Sequence, residues 1–134
     1  MITGANDYGI TVNAQLGSGQ LDATITGNTV SIGALGFYTI HTAAGTSGST
    51  FTNKICANVA NNVTNPAPGA LGNYQARAAT PSHEIKLQGT GMSTAVIWNN
   101  NMNSPLSPTA IISQSGTGTF TFGATCPAPA NPMP

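Results

Sequence analysis

The residues of this chain that could do chemistry are few, and they are scattered along its 134 positions. A serine hydrolase needs a nucleophile, a general base and an orienting acid within reach of one another. The groups available for these roles are Ser47 or Ser49, His41 or His83, and Asp22 or Glu84. Both serines lie in GTSGS, a composition typical of linkers, and no GxSxG motif stands between a strand and a helix. We therefore predict that the protein is not an enzyme.

Motifs for metals and nucleotides are also missing from the sequence. The His-Glu pair at positions 83 and 84 lacks the second histidine of HExxH, which excludes a helical zinc protease site. Two cysteines and two separate histidines are a poor set of zinc ligands. Neither a P-loop nor a dinucleotide-binding glycine motif follows a strand pattern. The sequence thus predicts no metal and no cofactor.

The segment VIWNNNMN, residues 96–103, is the best candidate for a polar ligand site. Carbohydrate sites often combine an exposed aromatic ring, which stacks on the apolar face of a sugar, with amides that bond its hydroxyls. The candidate ligand-binding residues are Trp98, Asn99, Asn100 and Asn101. The alternative is that Trp98 anchors the core and the asparagines form a turn, because Asn tolerates left-handed backbone.

Cys56 and Cys126 are the only cysteines, and they lie far apart in the sequence. Their separation excludes a CxxC redox motif. We predict one disulfide between them, formed in an oxidising compartment, and hence a protein at the cell surface or outside the cell. Two buried thiols in a cytosolic protein are the alternative.

Charge is unusually scarce: 4% of the residues are charged, with three basic and three acidic groups. An ordinary soluble protein has about 25%. Such a surface offers no electrostatic footprint for nucleic acid or an anionic membrane. It also lacks the repulsion that keeps most proteins apart, so it suits a subunit that packs against copies of itself. A secreted domain with a merely neutral surface is the alternative.

The apolar residues alternate in strand-like runs, which predicts a folded, mainly antiparallel β domain. Gly27-Asn28 divides one such run into an expected hairpin. No apolar run is long enough to span a membrane, and there is no internal repeat of fixed period. We expect one domain over residues 1–126 and a Pro-rich tail over 127–134. The predicted strands are 9–15, 20–26, 29–33, 36–42, 83–89, 93–99, 109–115 and 117–123.

One segment departs from the strand pattern, TNKICANVANNV at residues 52–63. Ile55, Val59 and Val63 recur every fourth position, which predicts one face of a short helix. Thr52 or Asn53 could cap that helix. The predicted fold is therefore α+β, with either a pilin-head-like or a β-sandwich arrangement.

The order of these features resembles the globular head of type IV pilins, most closely the type IVb group. The resemblance is carried by the strand FYTIHT, the cysteine of ICANVANNV and the late cysteine of GTFTFGATC, over residues 28–63 and 109–126. In that group one disulfide joins these two elements. The resemblance implies an extracellular filament subunit without enzymatic activity or cofactor. The long N-terminal hydrophobic helix of pilins has no counterpart in this sequence.

Three functions follow as hypotheses. The first is a subunit of a surface filament that acts by self-assembly and adhesion, with copies of itself or a separate helical pilin chain as partner. The second is a small secreted carbohydrate- or surface-binding module, centred on Trp98 and the asparagines after it, with surface glycans as ligands. The third is a viral structural protein.

Overall fold

The computed structural model of the chain describes residues 1–5, 7–60, 62–88, 98–100, 112–122 and 125–127. These residues form twelve β-strands, and none of them is helical. The strands are β1 (Ile2–Ala5), β2 (Tyr8–Ala14), β3 (Gly19–Thr26), β4 (Thr29–Ile32), β5 (Tyr38–Ala44), β6 (Asn53–Ala60), β7 (Asn62–Pro66), β8 (Gly72–Ala78), β9 (Glu84–Gln88), β10 (Trp98–Asn100), β11 (Ile112–Ser115) and β12 (Thr119–Phe122).

The strands form three four-stranded sheets, and every pairing is parallel. Sheet A contains β1, β4, β7 and β10; sheet B contains β2, β5, β8 and β11; sheet C contains β3, β6, β9 and β12. Consecutive strands therefore enter A, B and C in turn, and the chain then begins the next round. This is a parallel β-solenoid of four coils, coil 1 being β1–β3 and coil 4 being β10–β12.

Side chains stack in columns along the solenoid because corresponding strands of successive coils pair in register. One column is Leu21, Ile55, Ile85 and Phe120 in sheet C. Several hydrogen bonds between coils join residues 34 positions apart, among them Asn28 with Asn62 and Ser18 with Thr52. Neighbouring strands lie about 4.8 Å apart, so each coil adds one such layer.

The core lies between sheets B and C. Alternate residues of each strand point inward, and those of coils 2 and 3 are almost completely buried. The main core residues are Ile25, Ile40, Ala44, Ile55, Ala57, Val59, Tyr74, Ala76, Ala78, Ile85 and Leu87.

The prediction of antiparallel pairing is wrong, because all the sheets are parallel. Alternation reports which residues face the core, and it is the same for both strand directions. Gly27 does adopt positive φ, at 67°, as expected for a tight turn. The turn directs the chain from sheet C into sheet A, so β3 and β4 do not form a hairpin.

The predicted helix at residues 52–63 is also wrong, since the segment forms β6 and the start of β7. A spacing of four is a multiple of two, so Ile55 and Val59 can share one face of a strand as well as one face of a helix. Ala57 lies between them on the same buried face. β-branched residues favour the strand, and asparagine is a poor residue for a helix interior.

Some of the remaining predicted elements lie within the described residues, and others lie partly or wholly outside them. Strands β2, β5, β9, β11 and β12 lie within the predicted runs, allowing for shifts of one or two residues. β1 and β8 were not predicted. The predicted strand 93–99 is described only from Trp98 onward, and the tail 127–134 only at Pro127.

Candidate functional site

A cleft of about 490 Å³ lies at the corner where coil 1 passes from sheet B to sheet C. This corner lies between the end of β2 at Ala14 and the start of β3 at Gly19. Leu16 and Leu21 supply aliphatic walls. The polar side chains that line the cleft are Asn13, Gln15, Ser18, Gln20 and Asn53.

Hydrogen bonds to coil 2 hold this corner in place. The backbone N–H of Gly19 donates to the carbonyl of Thr52 at 3.0 Å, and the N–H of Thr52 donates to Oγ of Ser18 at 3.0 Å. Asn53 donates from Nδ2 to the carbonyl of Gly17 at 2.6 Å. These bonds make the cleft a feature of two coils rather than of one loop.

Asn53 forms the floor of the cleft. It lies in register between Gly19, which has no side chain above it, and His83 below. Its backbone N–H donates to Nδ1 of His83 at 3.1 Å. The side chain is 3% exposed, and its Oδ1 is buried without a hydrogen-bond partner. An unmatched acceptor at this depth is costly, by roughly 1–3 kcal/mol.

The residues beneath Asn53 are closely packed. His83 is fully buried over Gly45, where a Cβ atom would overlap the imidazole ring. Gly45 also has φ of 74°, so both the space and the backbone conformation require glycine. The floor is thus rigid.

The cleft is suited to binding by hydrogen bonds. None of the described residues that line it is ionisable. Amide groups both donate and accept, so they can bond hydroxyls or backbone amides without a charge. Asp22 lies just beyond, where it accepts a hydrogen bond from Gln20 at 2.6 Å.

The cleft belongs to an incompletely covered end of the solenoid. β1, β2 and β3 are the first strands of their sheets, so one backbone edge of each is unpaired within the described chain. Apart from the buried Ile25, the inward residues of coil 1 are only partly buried, and Leu21 is 38% exposed. These strands contain no proline or lysine, the residues that commonly protect free edges.

A second polar region lies on the outer face of sheet B. The ring of His41 stacks on that of Tyr8, with centroids 4.2 Å apart and an angle of 12° between the planes. Burial, and then the charge of Arg77, lowers the pKa of His41 to about 4. Burial also raises the pKa of Tyr8, with Asp7 adding to the effect. His41 is therefore a neutral, buried imidazole at neutral pH.

Sheet C carries a small charge cluster and the disulfide on its outer face. Glu84 lies 3.5 Å from both Lys54 and Lys86. The structure confirms the predicted disulfide between Cys56 and Cys126. The N–H of Cys126 donates to Oε1 of Gln88 at 2.5 Å, so the segment after coil 4 returns to the level of coils 2 and 3.

The hydrolase candidates of the sequence do not form a linked set in the described structure. The hydroxyl of Ser49 accepts a hydrogen bond from the N–H of Phe51, at 3.1 Å. Neither nitrogen of His41 has a partner, and His83 accepts from Asn53. Glu84 pairs with lysines and Asp22 with Gln20. No hydrogen bond joins a serine to a histidine among these residues.

Three of the four sequence-predicted ligand residues lie in coil 4. The backbone of Trp98, Asn99 and Asn100 forms β10, which pairs with β7 so that Trp98 is opposite Asn62. Asn101 and the side chains of the other three are outside the described residues. Asn62 itself is buried at a corner, where its Oδ1 accepts two hydrogen bonds from Asn28.

The described residues contain no group of three or more side chains that could hold a metal ion, and no helix among them is long and apolar enough to cross a membrane.

Sequence reasoning missed the cleft. The polar residues at positions 13, 15, 18 and 20 were the available signal, because they cluster around a short break between two strand patterns. What the sequence does not show is that Asn53 lies beneath them, since that contact depends on the stacking of coils.

Comparison with known proteins gives no relative for this arrangement: no family model, no curated protein and no solved structure matches the chain significantly.

Proposed function

We propose that the chain is a structural subunit of an extracellular filament, assembled by head-to-tail stacking of solenoids. One observation supports this above all: among the described residues, the strands of coil 1 have an unpaired edge in all three sheets, over a partly exposed core. Unpaired strand edges bind other strands readily. The disulfide supports an extracellular location, because such bonds persist in oxidising compartments.

The two ends of the solenoid are complementary. In the described chain, β10, β11 and β12 are the last strands of the same three sheets that begin with β1, β2 and β3. A second copy can therefore continue each sheet in the parallel sense. Extending the sheet C column would place Phe120 of one copy against Leu21 of the next, and both are partly exposed in the single chain.

The amide-lined cleft belongs to this interface. At the corresponding corner of coil 4, the column Gly19, Asn53 and His83 ends at Gly118. A stacked copy brings this corner over the cleft, where the amides can bond its exposed backbone. Because the contact joins unlike surfaces, it does not close on itself and generates a filament.

Charge favours the same contact. The only formal charge within β1, β2 and β3 is Asp22, and its column ends at Thr121 in coil 4. Stacking therefore places no like charges together. The stacking contact is expected to bury more than about 1,000 Å² in total, which is the size of a specific interface.

From the resemblance to pilins the proposal takes only the class of function, a subunit of an extracellular filament. The segment expected to be the pilin-like helix is β6, and the disulfide joins that strand to the segment after β12. Assembly through solenoid ends needs no separate helical chain, so copies of this chain are the proposed partner.

The test is electron microscopy and sedimentation of the concentrated chain. We expect rods from the native sequence and monomers from Leu21→Lys, because a lysine at the edge cannot be buried in the contact. Leu71→Lys is the matched control: Leu71 is 63% exposed at a corner of coil 3, and that variant should still form rods. A native chain that stays monomeric overturns the proposal.

Mixing variants tests the head-to-tail geometry. Phe120→Lys blocks the opposite end, so it should also be monomeric alone. Mixed with Leu21→Lys, it retains one intact contact and should give discrete dimers. Loss of assembly in Leu71→Lys, or rods from the mixture, would contradict stacking through the solenoid ends.

A further inference from the structure

Gly19, in the cleft at the corner of coil 1, is a glycine that the fold of the single chain does not require. Its φ lies outside the left-handed region, and a Cβ atom at this position would have no other atom within 4 Å. Gly17 and Gly45 differ, because both have positive φ and a Cβ at Gly45 would overlap His83. Glycine weakens a strand, so an unconstrained glycine at the start of β3 marks a place where a ligand or another backbone comes close.

A second copy of the chain does not account for this open space. The column that begins with Gly19 passes through Asn53 and His83 and ends at Gly118 in coil 4. A stacked copy would therefore place glycine over glycine, which leaves the volume above Asn53 unfilled. A larger residue at position 19 would serve stacking better, so the space points to a small ligand.

The accessible groups around this space suit a neutral ligand that is rich in hydroxyls. Three amide side chains line the cleft, those of Asn13, Gln15 and Gln20. The first two make no side-chain hydrogen bond with another described residue. An amide can donate to one hydroxyl and accept from the next. Oδ1 of Asn53 is too deeply buried to touch a ligand, so Asn53 contributes only the floor.

Shape and charge narrow the class of ligand to a saccharide. Leu16 and Leu21 are exposed in the single chain, and they offer an aliphatic wall to the C–H face of a sugar ring. The cleft volume of about 490 Å³ lies within the range of about 300–1,000 Å³ for small-ligand sites. Among the described residues that line the cleft none is ionisable, so a charged ligand would lose hydration without gaining a partner of opposite charge.

We propose that the cleft binds a neutral saccharide of one or two rings, which lies over Gly19 against Leu16 and is held by the amide side chains. This site is in coil 1, whereas the sequence-predicted residues around Trp98 are in coil 4. A stacked copy would cover the cleft, so binding is measured on free chains, and the result does not depend on whether rods form.

Ligand-observed NMR titration of the native chain, at a concentration too low for assembly, tests the site. The probes are cellobiose and maltose, which differ in linkage, and octa-O-methyl cellobiose, which keeps the rings but has no hydroxyl to donate. At least one disaccharide should bind, and the methyl ether should bind at least about 10-fold more weakly, because it leaves the amide oxygens unpaired. No binding of either disaccharide, or equal binding of the ether, overturns the proposal.

Filling the space locates the binding. Gly19→Leu should weaken the disaccharide at least about 10-fold, because its side chain occupies the volume over Asn53, and it should not lower the urea midpoint, because no atom obstructs a Cβ there. Thr24→Leu, on the outer face of the same strand, is the matched control and should bind normally. Unchanged binding in Gly19→Leu, or an equal loss in Thr24→Leu, would place the ligand elsewhere and overturn the site.

Removing one amide tests the class of ligand. Gln15→Ala should weaken the disaccharide about 5-fold through the loss of its hydrogen bonds, whereas Gln75→Ala, on the outer face of sheet B, should have no effect. The capped tetrapeptide Ser-Gly-Thr-Gly, which is the sequence of residues 115–118 at the coil 4 corner, is the competing probe. Binding of this peptide as tight as that of the disaccharide would overturn the assignment to saccharides.

Discussion

Coils 1 and 2 of the solenoid place similar residues in the same columns, yet the two are buried very differently. Leu21 in coil 1 is 38% exposed, whereas Ile55, its register partner in coil 2, is fully buried. Within the described part of the chain, coil 2 has neighbours on both sides and coil 1 on only one. In a solenoid, burial therefore depends on position in the stack, and an end coil is the least stable part.

Removing the disulfide should produce the largest change in stability. This bond ties coil 2 to the segment after coil 4 and does not involve coil 1. Replacing both cysteines by alanine should lower the free energy of unfolding by about 4 kcal/mol on the chain-entropy model. Urea denaturation measures the change. Hydrogen exchange should show reduced protection in coils 2 and 3, with little change in coil 1.

The next largest difference in stability is expected between two substitutions in one column of sheet C. Ile85→Ala, in coil 3, should lower the free energy of unfolding by about 3 kcal/mol, because Ile85 is fully buried and the substitution leaves an enclosed cavity. Leu21→Ala should cost about 1 kcal/mol in the monomer, where the site is already open to solvent. Urea denaturation at concentrations too low for assembly compares them. An equal loss of unfolding free energy in the two variants would show that Leu21 in coil 1 is covered in solution.

The third effect depends on pH and concerns the contact between coils 1 and 2, where the ring of Tyr8 stacks on that of His41. The folded pKa of His41 is about 4, below its ordinary value of 6.5. The folded chain then binds fewer protons, so stability is complete above pH 6.5 and falls as the pH drops toward 4, by at most about 3 kcal/mol. Arg77 strengthens this shift and Asp7 opposes it.

His41→Phe should reduce the loss of stability between pH 6.5 and 4, as measured by urea midpoints across that range. Tyr8→Ala should act differently: by uncovering the imidazole it should raise the pKa of His41, measurable by NMR titration. An identical pH profile in native and His41→Phe chains would contradict a buried neutral histidine.

The sequence predicted much of the local structure but not how the strands pair. The runs around Ile10, Ile40 and Phe120 were predicted as strands because alternation is a local property. Their pairing partners lie 30 or more positions away and differ in type, as Ile10, Ile40 and Tyr74 do within one column. Any apolar side chain of suitable size fills such a position, so stacked coils need not produce a visible repeat.

The candidate site was less predictable still. Asn53 looked like a possible helix cap, and only the stacking of coils 1 and 2 makes it the floor of a cleft.

By itself, the sequence determined an almost uncharged, β-rich chain, since composition and alternation suffice for these, and it predicted the disulfide that the structure confirms. Only the tertiary structure decided that the strands run parallel, that the segment around Cys56 is a strand and that β1, β2 and β3 are edge strands among the described residues. The physical reason is that a side chain spacing of two or four fixes a face, whereas direction and neighbours depend on backbone hydrogen bonds between distant coils.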